Sequence, residues 1–166
     1  MDTIRLIGYN PCSVTDGENL REVIYVALCT HRCSGCHNEK YWNDKGDEYL
    51  IDEVVEKLYK NPLTDITISG GDGLTIQYES TLELCKRLKE RGNKNIWIYT
   101  GYTFRELFEL GKDEILNYID CLVDGRFEMD KRDTTLKFRG SKNQNIIDVP
   151  KSLKHKEVVF WKNGEK

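Results

Sequence analysis

The chain has 166 residues, of which 39% are apolar and 32% charged, and 25 Lys+Arg against 28 Asp+Glu give a net charge of −3. That length suits one domain burying roughly 70% of its unfolded surface, and the even charge balance excludes a basic nucleic-acid surface. No apolar run approaches the ~20 residues of a bilayer span. The first twenty residues, with Asp2, Arg5, Asp16 and Glu18, lack a signal peptide's apolar centre, so a reducing cytoplasm is expected.

Residues 4–6 open a strand that Asn10-Pro11 is expected to break. Val23 to Leu28 reads VIYVAL, an unbroken run rich in β-branched residues, the mark of a strand buried on both faces as in a parallel sheet. Cysteines begin directly after it. From Cys29 to Gly46 the chain is polar and rich in Asn, Gly and Asp. This reads as a long loop, and long loops in compact domains are usually functional. Ile51, Val54, Val55 and Leu58 recur at i, i+3, i+4, i+7, a helix face that Pro62 closes. Residues 66–69 form a short strand, followed at once by Gly70-Gly71-Asp72-Gly73. Leu82, Leu84, Cys85 and Leu88 suit a second helix, stopped by Gly92. The run IWIY at 96–99 is a third buried strand, ended by Gly101. Phe104, Leu107 and Phe108, then Ile115, Leu116 and Ile119, give one or two helices. Residues 121–123 are a fourth strand, ended by Asp124-Gly125. Strand and helix in alternation point to an α/β fold with parallel strands and right-handed crossovers. Residues 136–138, 146–149 and 158–161 read as three short strands with no clear helix between them. The count falls short of eight β/α units, so the expected architecture is an incomplete (partial) (β/α) barrel of mostly parallel strands, open on one side.

The six cysteines divide into two groups. Cys29-Thr-His-Arg-Cys33-Ser-Gly-Cys36 is a C-x3-C-x2-C run on one polar loop. Three thiolates so placed can converge on a metal centre, and thiolates suit zinc and iron–sulfur clusters above all. A closed structural zinc site takes four ligands and an ordinary [4Fe–4S] cluster four cysteines. Three cysteines leave one iron open to chemistry, whereas His31 or His37 could instead complete a Cys3His zinc site. Cys85 on a helix face and Cys121 at the head of an apolar strand read as core thiols. Cys12, in an N-terminal loop, is either idle or near the metal centre. The second motif is Ser69-Gly70-Gly71-Asp72, whose glycines let backbone approach a ligand at the carboxyl end of a strand. Both motifs follow strands and so share one rim of the sheet. Val123-Asp124-Gly125-Arg126-Phe127 joins that rim after the fourth strand. Arg139-Gly140-Ser141-Lys142-Asn143-Gln144-Asn145 is a second polar loop; on composition alone both read as solvated loops.

The cysteine loop resembles the signature of radical S-adenosylmethionine (SAM) enzymes, and Gly70-Gly71-Asp72 resembles their Gly-Gly-Glu/Asp motif. With DGENLR (16–21), Cys36-His37-Asn38, ISGGD, IYTGYT (98–103), VDGRF and RGSKNQ, the resemblance narrows to the activases of anaerobic (class III) ribonucleotide reductase, and these segments spread over nearly the whole chain. Gly73 stands where that family usually has proline, and Asn19-Leu20 where Gly-Ile is commoner. What the resemblance implies is a radical SAM oxidoreductase domain over 1–150 with a C-terminal extension, 151–166, packed on it. Cys29, Cys33 and Cys36 would hold a [4Fe–4S] cluster whose open iron takes the amino and carboxylate groups of SAM. Ser69, Gly70, Gly71 and Asp72 would contact its methionine part, while Gly35, Cys36 and His37 border the cofactor. Reductive cleavage of SAM would then generate a glycyl radical on the reductase large subunit, with a low-potential donor such as flavodoxin or ferredoxin supplying the electron. Arg126, Arg139 and Lys142 are candidate contacts with that partner. Two rival readings accompany this one: another small radical SAM enzyme acting on a small molecule, against which VDGRF and RGSKNQ argue, and a non-catalytic Cys3His zinc-binding module.

Overall fold

The computed structural model describes residues 2–31 and 44–162; Cys33, Gly35, Cys36 and His37 lie outside the described residues. One seven-stranded mixed sheet organises the chain: β1 (Thr3–Ser13), β2 (Arg21–Val26), β3 (Asp47–Leu50), β4 (Asp65–Gly70), β5 (Ile96–Tyr99), β6 (Cys121–Asp124) and β7 (Asn145–Asp148). Their spatial order is β3-β1-β2-β4-β5-β6-β7. The four strands β2, β4, β5 and β6 run parallel. The outer strands turn back on them, since β1 is antiparallel to β2 and β3, and β7 is antiparallel to β6.

Helices α1 (Ile51–Tyr59), α2 (Tyr78–Arg91), α3 (Phe104–Glu109) and α4 (Val149–His155) carry the crossovers and the tail. They bury their apolar stripes against the sheet face formed by Ile24, Val26, Ile66, Ile68, Ile96, Ile98, Leu122 and Ile147. Fully burying one such aliphatic side chain contributes roughly 1.5–3 kcal/mol. The other face is closed at its amino-terminal end by a smaller cluster of Trp97, Cys121 and Val123, against which Phe138, Ile146 and Trp161 pack. No helix among the described residues is long and apolar enough to cross a membrane.

The predicted helix over 51–58, the strands at 66–69, 96–99 and 121–123 and the helix around 82–88 are all present. Three expectations at the edges fail and two elements are unforeseen, each for local reasons. Asn10-Pro11 does not end β1: the strand bulges between Asn10 and Ser13, the position in a ladder where proline's missing N–H is tolerated. The strand β3 was not foreseen, because DEYL is largely exposed and has no alternating apolar signal. Residues 136–138 are not a strand, and Phe160 makes only an isolated bridge to Ile147. Between them lies the unforeseen helix α4. Its start is written in the sequence: the Asp148 side chain accepts a hydrogen bond from Lys151 N (3.1 Å) and Pro150 occupies the first turn, a standard helix opening.

Candidate functional site

The carboxyl ends of the four parallel strands meet around one cavity of about 440 Å³, within the roughly 300–1,000 Å³ range of small-molecule sites. Cys29 and His31 follow β2, Ser69–Asp72 close β4, Thr100 and Gly101 follow β5, and Gly125 follows β6; all line the cavity. Thr15 and Asp16 approach from the β1–β2 connection. Phe127, Leu136, Phe138, Arg139 and Gln144 approach from the β6–β7 connection.

The Gly-Gly-Asp turn is sewn to the end of β2. Gly71 N donates to Val26 O (2.8 Å) and Asp72 N to Leu28 O (2.8 Å). Gly70 has φ +110°, and a Cβ on it would lie 2.4 Å from Val26 N. A Cβ on Gly71 would lie 2.3 Å from Leu28 O. Both obstacles are backbone, so neither glycine can be replaced without prising the strands apart. Leu28 itself takes a left-handed φ of +73°, a conformation that costs a leucine of order 1–2 kcal/mol. The chain accepts it where it leaves β2 to present Cys29. Asn19 (φ +65°) explains one departure from the family pattern, because asparagine tolerates the left-handed region where glycine is commoner. Gly73 likewise sits tight, with a Cβ there 2.9 Å from Thr81 Oγ1.

Asp72 is 2% exposed. Its Oδ1 accepts from Leu74 N (2.9 Å), and its Oδ2 accepts from Thr100 Oγ1 (2.9 Å) and Gly101 N (2.8 Å). The carboxylate therefore organises the rim by tying the β4 turn to the β5 turn. His31, in the middle of the C-x3-C segment, reaches the same oxygen: its Nε2 lies 2.8 Å from Asp72 Oδ2. The approach is off the ring N–H axis, so this is an electrostatic contact without an aligned hydrogen bond. Arg126 Nε donates to His31 Nδ1 (3.1 Å), and the ring meets Tyr102 edge-on at 4.6 Å.

VDGRF and RGSKNQ form one lattice. Gln144 Oε1 accepts from Gly140 N (2.9 Å) and Ser141 N (3.0 Å), while its Nε2 donates to Gly125 O (3.0 Å). Asn143 Nδ2 donates to Arg126 O (2.8 Å), and Arg139 Nη1 donates to Gln144 O. Asp124 is buried; its carboxylate accepts from Phe104 N (2.8 Å) and Asn145 N (3.2 Å). Burial pushes its pKa above the ordinary carboxylate value, and the two backbone donors offset part of that rise. Of the predicted partner contacts, Arg126 and Lys142 are exposed, whereas Arg139 is half-buried and braces its own loop.

Among the predicted site residues that are described, Cys29, Ser69, Gly70, Gly71 and Asp72 are brought together on the cavity wall. Cys85 and Cys121 are fully buried on opposite faces of the sheet, and Cys12 is exposed. Burial pushes the Cys85 thiol up to about 12 and raises the Cys121 thiol as well. Both are inert as thiolates at neutral pH. Thr100, Gly101, Asp124 and Gln144 were not singled out, although each lies in a segment that carries the resemblance. The sequence offers His31 only as a possible zinc ligand.

Residues 15–147 match the family described as 4Fe-4S single cluster domain. Together with the cavity beside Cys29, this defines the class: a protein built around one iron–sulfur cluster, in which a Cys3His zinc site has no support. The chain is 40% identical over 151 residues to the anaerobic ribonucleoside-triphosphate reductase-activating protein of Haemophilus influenzae, covering 84% of this chain and 95% of that one. The proteins of the same name from Pasteurella multocida (36% over 151 residues; 84% and 94% covered) and Escherichia coli K12 (33% over 146 residues; 83% and 94% covered) are similar throughout. The chain belongs to the family of the anaerobic ribonucleoside-triphosphate reductase-activating proteins.

Thiolate chemistry at the rim fits a [4Fe–4S] cluster. The Cys29 thiol sits at the cavity wall beside the Ser69–Asp72 turn.

Proposed function

We propose that this protein is a radical SAM activase, an oxidoreductase that generates a glycyl radical on the large subunit of anaerobic ribonucleotide reductase. The reading is carried by one observation: Cys29, the Ser69–Asp72 turn and the loops after β5 and β6 converge on a single cavity at the carboxyl ends of the parallel strands. The names of the relatives supply the target.

Cys29, Cys33 and Cys36 would hold the [4Fe–4S] cluster, and three protein ligands would leave it free to take SAM. When bound, cluster and SAM supply one-electron cleavage of the S–C5′ bond and, from it, hydrogen-atom abstraction at a glycine Cα. The chain's own residues bind, orient and shield. Ser69, Gly70 and Gly71 present the β4 turn to the methionine part. Asp72 Oδ1 accepts one backbone N–H and so keeps acceptor capacity for the SAM ammonium. Gly35 and His37 border the last cluster ligand. Phe127, Leu136 and Phe138 give the far wall an apolar lining that excludes water from a reactive centre. No side chain has to serve as a general base, because the hydrogen leaves with its electron.

The four parallel strands and their helices form an incomplete radical SAM barrel. Its open side admits the glycine loop of the partner, with Arg126, Arg139 and Lys142 beside the entrance, and residues 151–166 pack on the same domain. A low-potential flavodoxin or ferredoxin in the cytoplasm supplies the electron. Anaerobic reconstitution tests the reading. The expected protein is brown with about four irons per chain, cleaves SAM to methionine and 5′-deoxyadenosine on reduction, and gives a glycyl-radical doublet in the paramagnetic resonance spectrum with the reductase. A colourless protein holding one zinc would refute it.

A further inference from the structure

We infer that His31 is a positioning residue that locks the cluster loop to the Gly-Gly-Asp turn, so that the cluster and the SAM amino end are held in register. The inference rests on the proposed function and deepens it. His31 stands midway between Cys29 and Cys33 in the chain, but its side chain is not a solvated loop group: it is 4% exposed and faces an Asp72 side chain that is 2% exposed.

Three independent contacts fix the ring. Nε2 lies 2.8 Å from Asp72 Oδ2, Nδ1 accepts from Arg126 Nε at 3.1 Å, and Tyr102 meets the ring edge-on at 4.6 Å. An arginine Nε only donates, so Nδ1 is the acceptor and Nε2 is left as the ring's donor nitrogen, on the carboxylate side though off the N–H axis. The space for the ring is cut out of the backbone as well. A Cβ on Gly101 would lie 2.5 Å from His31 Cδ2, while Gly101 N donates to the same Asp72 oxygen. One histidine thus joins the segment bearing Cys29 to the β4, β5 and β6 rim loops.

A ligand that bridges cluster and turn has both ends fixed only if the loop and the turn are fixed to each other. Preorganisation of that kind cuts the ordering cost of binding. Arg126 acquires a second task here: it sets the orientation of His31 from the loop after β6, whatever it does for a partner.

The test uses the full chain, reconstituted anaerobically, with three readouts: iron per chain, SAM affinity by calorimetry, and the change that SAM induces in the paramagnetic resonance spectrum of the reduced cluster. His31→Ala should keep its iron, lose about tenfold in SAM affinity as the ordering cost of binding rises, and show a weakened SAM-induced spectral change. His31→Gln, whose amide nitrogen can reach Asp72 from the same place, should recover to within about threefold of wild type. Gly101→Ala should reproduce the loss with His31 still present, because the methyl group displaces the ring. Unchanged SAM affinity in His31→Ala overturns the proposal. So does iron loss in step with SAM binding, which would make His31 a ligand or a folding element. Failure of either the glutamine recovery or the Gly101→Ala mimic also overturns it, since the Asp72 contact would then not be what His31 supplies. A wild-type protein that took up no cluster or bound no SAM would instead sink the proposed function, so the two failures are distinguishable.

Discussion

Truncating Asp72 separates two tasks of one carboxylate. Asp72→Ala removes the acceptor of Leu74 N, Gly101 N and Thr100 Oγ1 from a site that is 2% exposed. A buried donor left unpaired costs about 1–3 kcal/mol. The Thr100 hydroxyl can rotate to another acceptor, and the cavity alongside admits water to the two N–H groups, so the low end applies and the sum is about 2–4 kcal/mol. For a chain of this size each kcal/mol lowers Tm by about 2–4 °C, which predicts a drop of about 4–16 °C. The second task is the SAM ammonium. Loss of one charge-assisted bond, about 1.5–3 kcal/mol, weakens SAM binding by about ten- to a hundredfold. Thermal melting of the reduced apoprotein reads the first effect, and titration of SAM into the reconstituted protein reads the second. Asp72→Asn should fall between, because its amide must turn an N–H toward either Leu74 N or the Thr100–Gly101 pair. If Asp72→Ala melted with wild type, the hydrogen bonds would not be holding the rim. If it bound SAM with wild-type affinity, the carboxylate would have no ligand role.

Alanine at Cys29, Cys33 or Cys36 should abolish the cluster's visible absorption and SAM cleavage, while alanine at Cys85 or Cys121 should preserve both; cluster loss in Cys85→Ala would disprove the ligand set. Burial raises the Cys85 thiol from 9.0 to about 12, so the folded state keeps a proton that the unfolded state releases. That stability is complete below about pH 9 and lost as pH rises toward about 12, at about 1.4 kcal/mol per pH unit. Urea titrations at about pH 8 and 10.5 should therefore show wild type losing about 2 kcal/mol more than Cys85→Ala; equal losses would refute the assignment. Charge reversal at Arg126 or Lys142 should reduce glycyl-radical yield and leave the iron content unchanged. Arg139→Glu should also lower Tm, because Arg139 braces the loop through Gln144 O; wild-type yield in all three would remove these loops from the docking surface. Trp161→Ala should cost about 2–3 kcal/mol, measured by urea unfolding, since the ring packs on Trp97 at 5.6 Å and its Nε1 donates to Glu18 Oε1 at 2.7 Å. An unchanged midpoint would mean the tail is not part of the fold.

What could be read in the sequence was whatever is encoded locally. The buried strands announce themselves as IWIY and VIYVAL, and α1 by its spaced aliphatics. The glycines of the β4 turn signal close backbone approach to a ligand; the approach the structure shows is to the end of β2, with obstacles at 2.4 and 2.3 Å. The non-local partners could not be read. Nothing in CTHRC says that His31 folds back onto Asp72, forty-one positions on, and nothing in VDGRF says that Asp124 accepts from Phe104 N at the start of α3. Composition favoured solvated loops for VDGRF and RGSKNQ, yet the Gln144 side chain satisfies three backbone groups between them. The tail misled for a different reason. Residues 149–155 lack a long apolar period, so the helix signals are short-range: the Asp148 cap and Pro150 at the start, Lys154 and His155 in the last turn.

The placement of the site follows from strand parity. Along β4, Ile66 and Ile68 face the helices while Thr67 and Ser69 face the other way; along β5, Ile96 and Ile98 oppose Trp97 and Tyr99. The helix side is aliphatic from end to end. The opposite side changes character along each strand. Near the amino ends it is filled: the Arg21 guanidinium lies over Trp97 at 5.0 Å and donates to Glu18 O (2.7 Å) and Ile66 O (2.6 Å), while Phe138 and Trp161 close over the indole. Near the carboxyl ends it is left open: Gly70, Gly71 and Gly101 have no room for side chains against the end of β2 and His31, and Asp72 ties the β4 and β5 turns together at the wall. A slip of one residue in β4 would exchange Ile68 for Ser69 and turn isoleucines into the cavity, so burial on the helix side fixes the register that keeps the cavity clear. The same packing that stabilises the sheet thereby decides which rim can receive a ligand, and the cysteine loop leaves β2 at that rim.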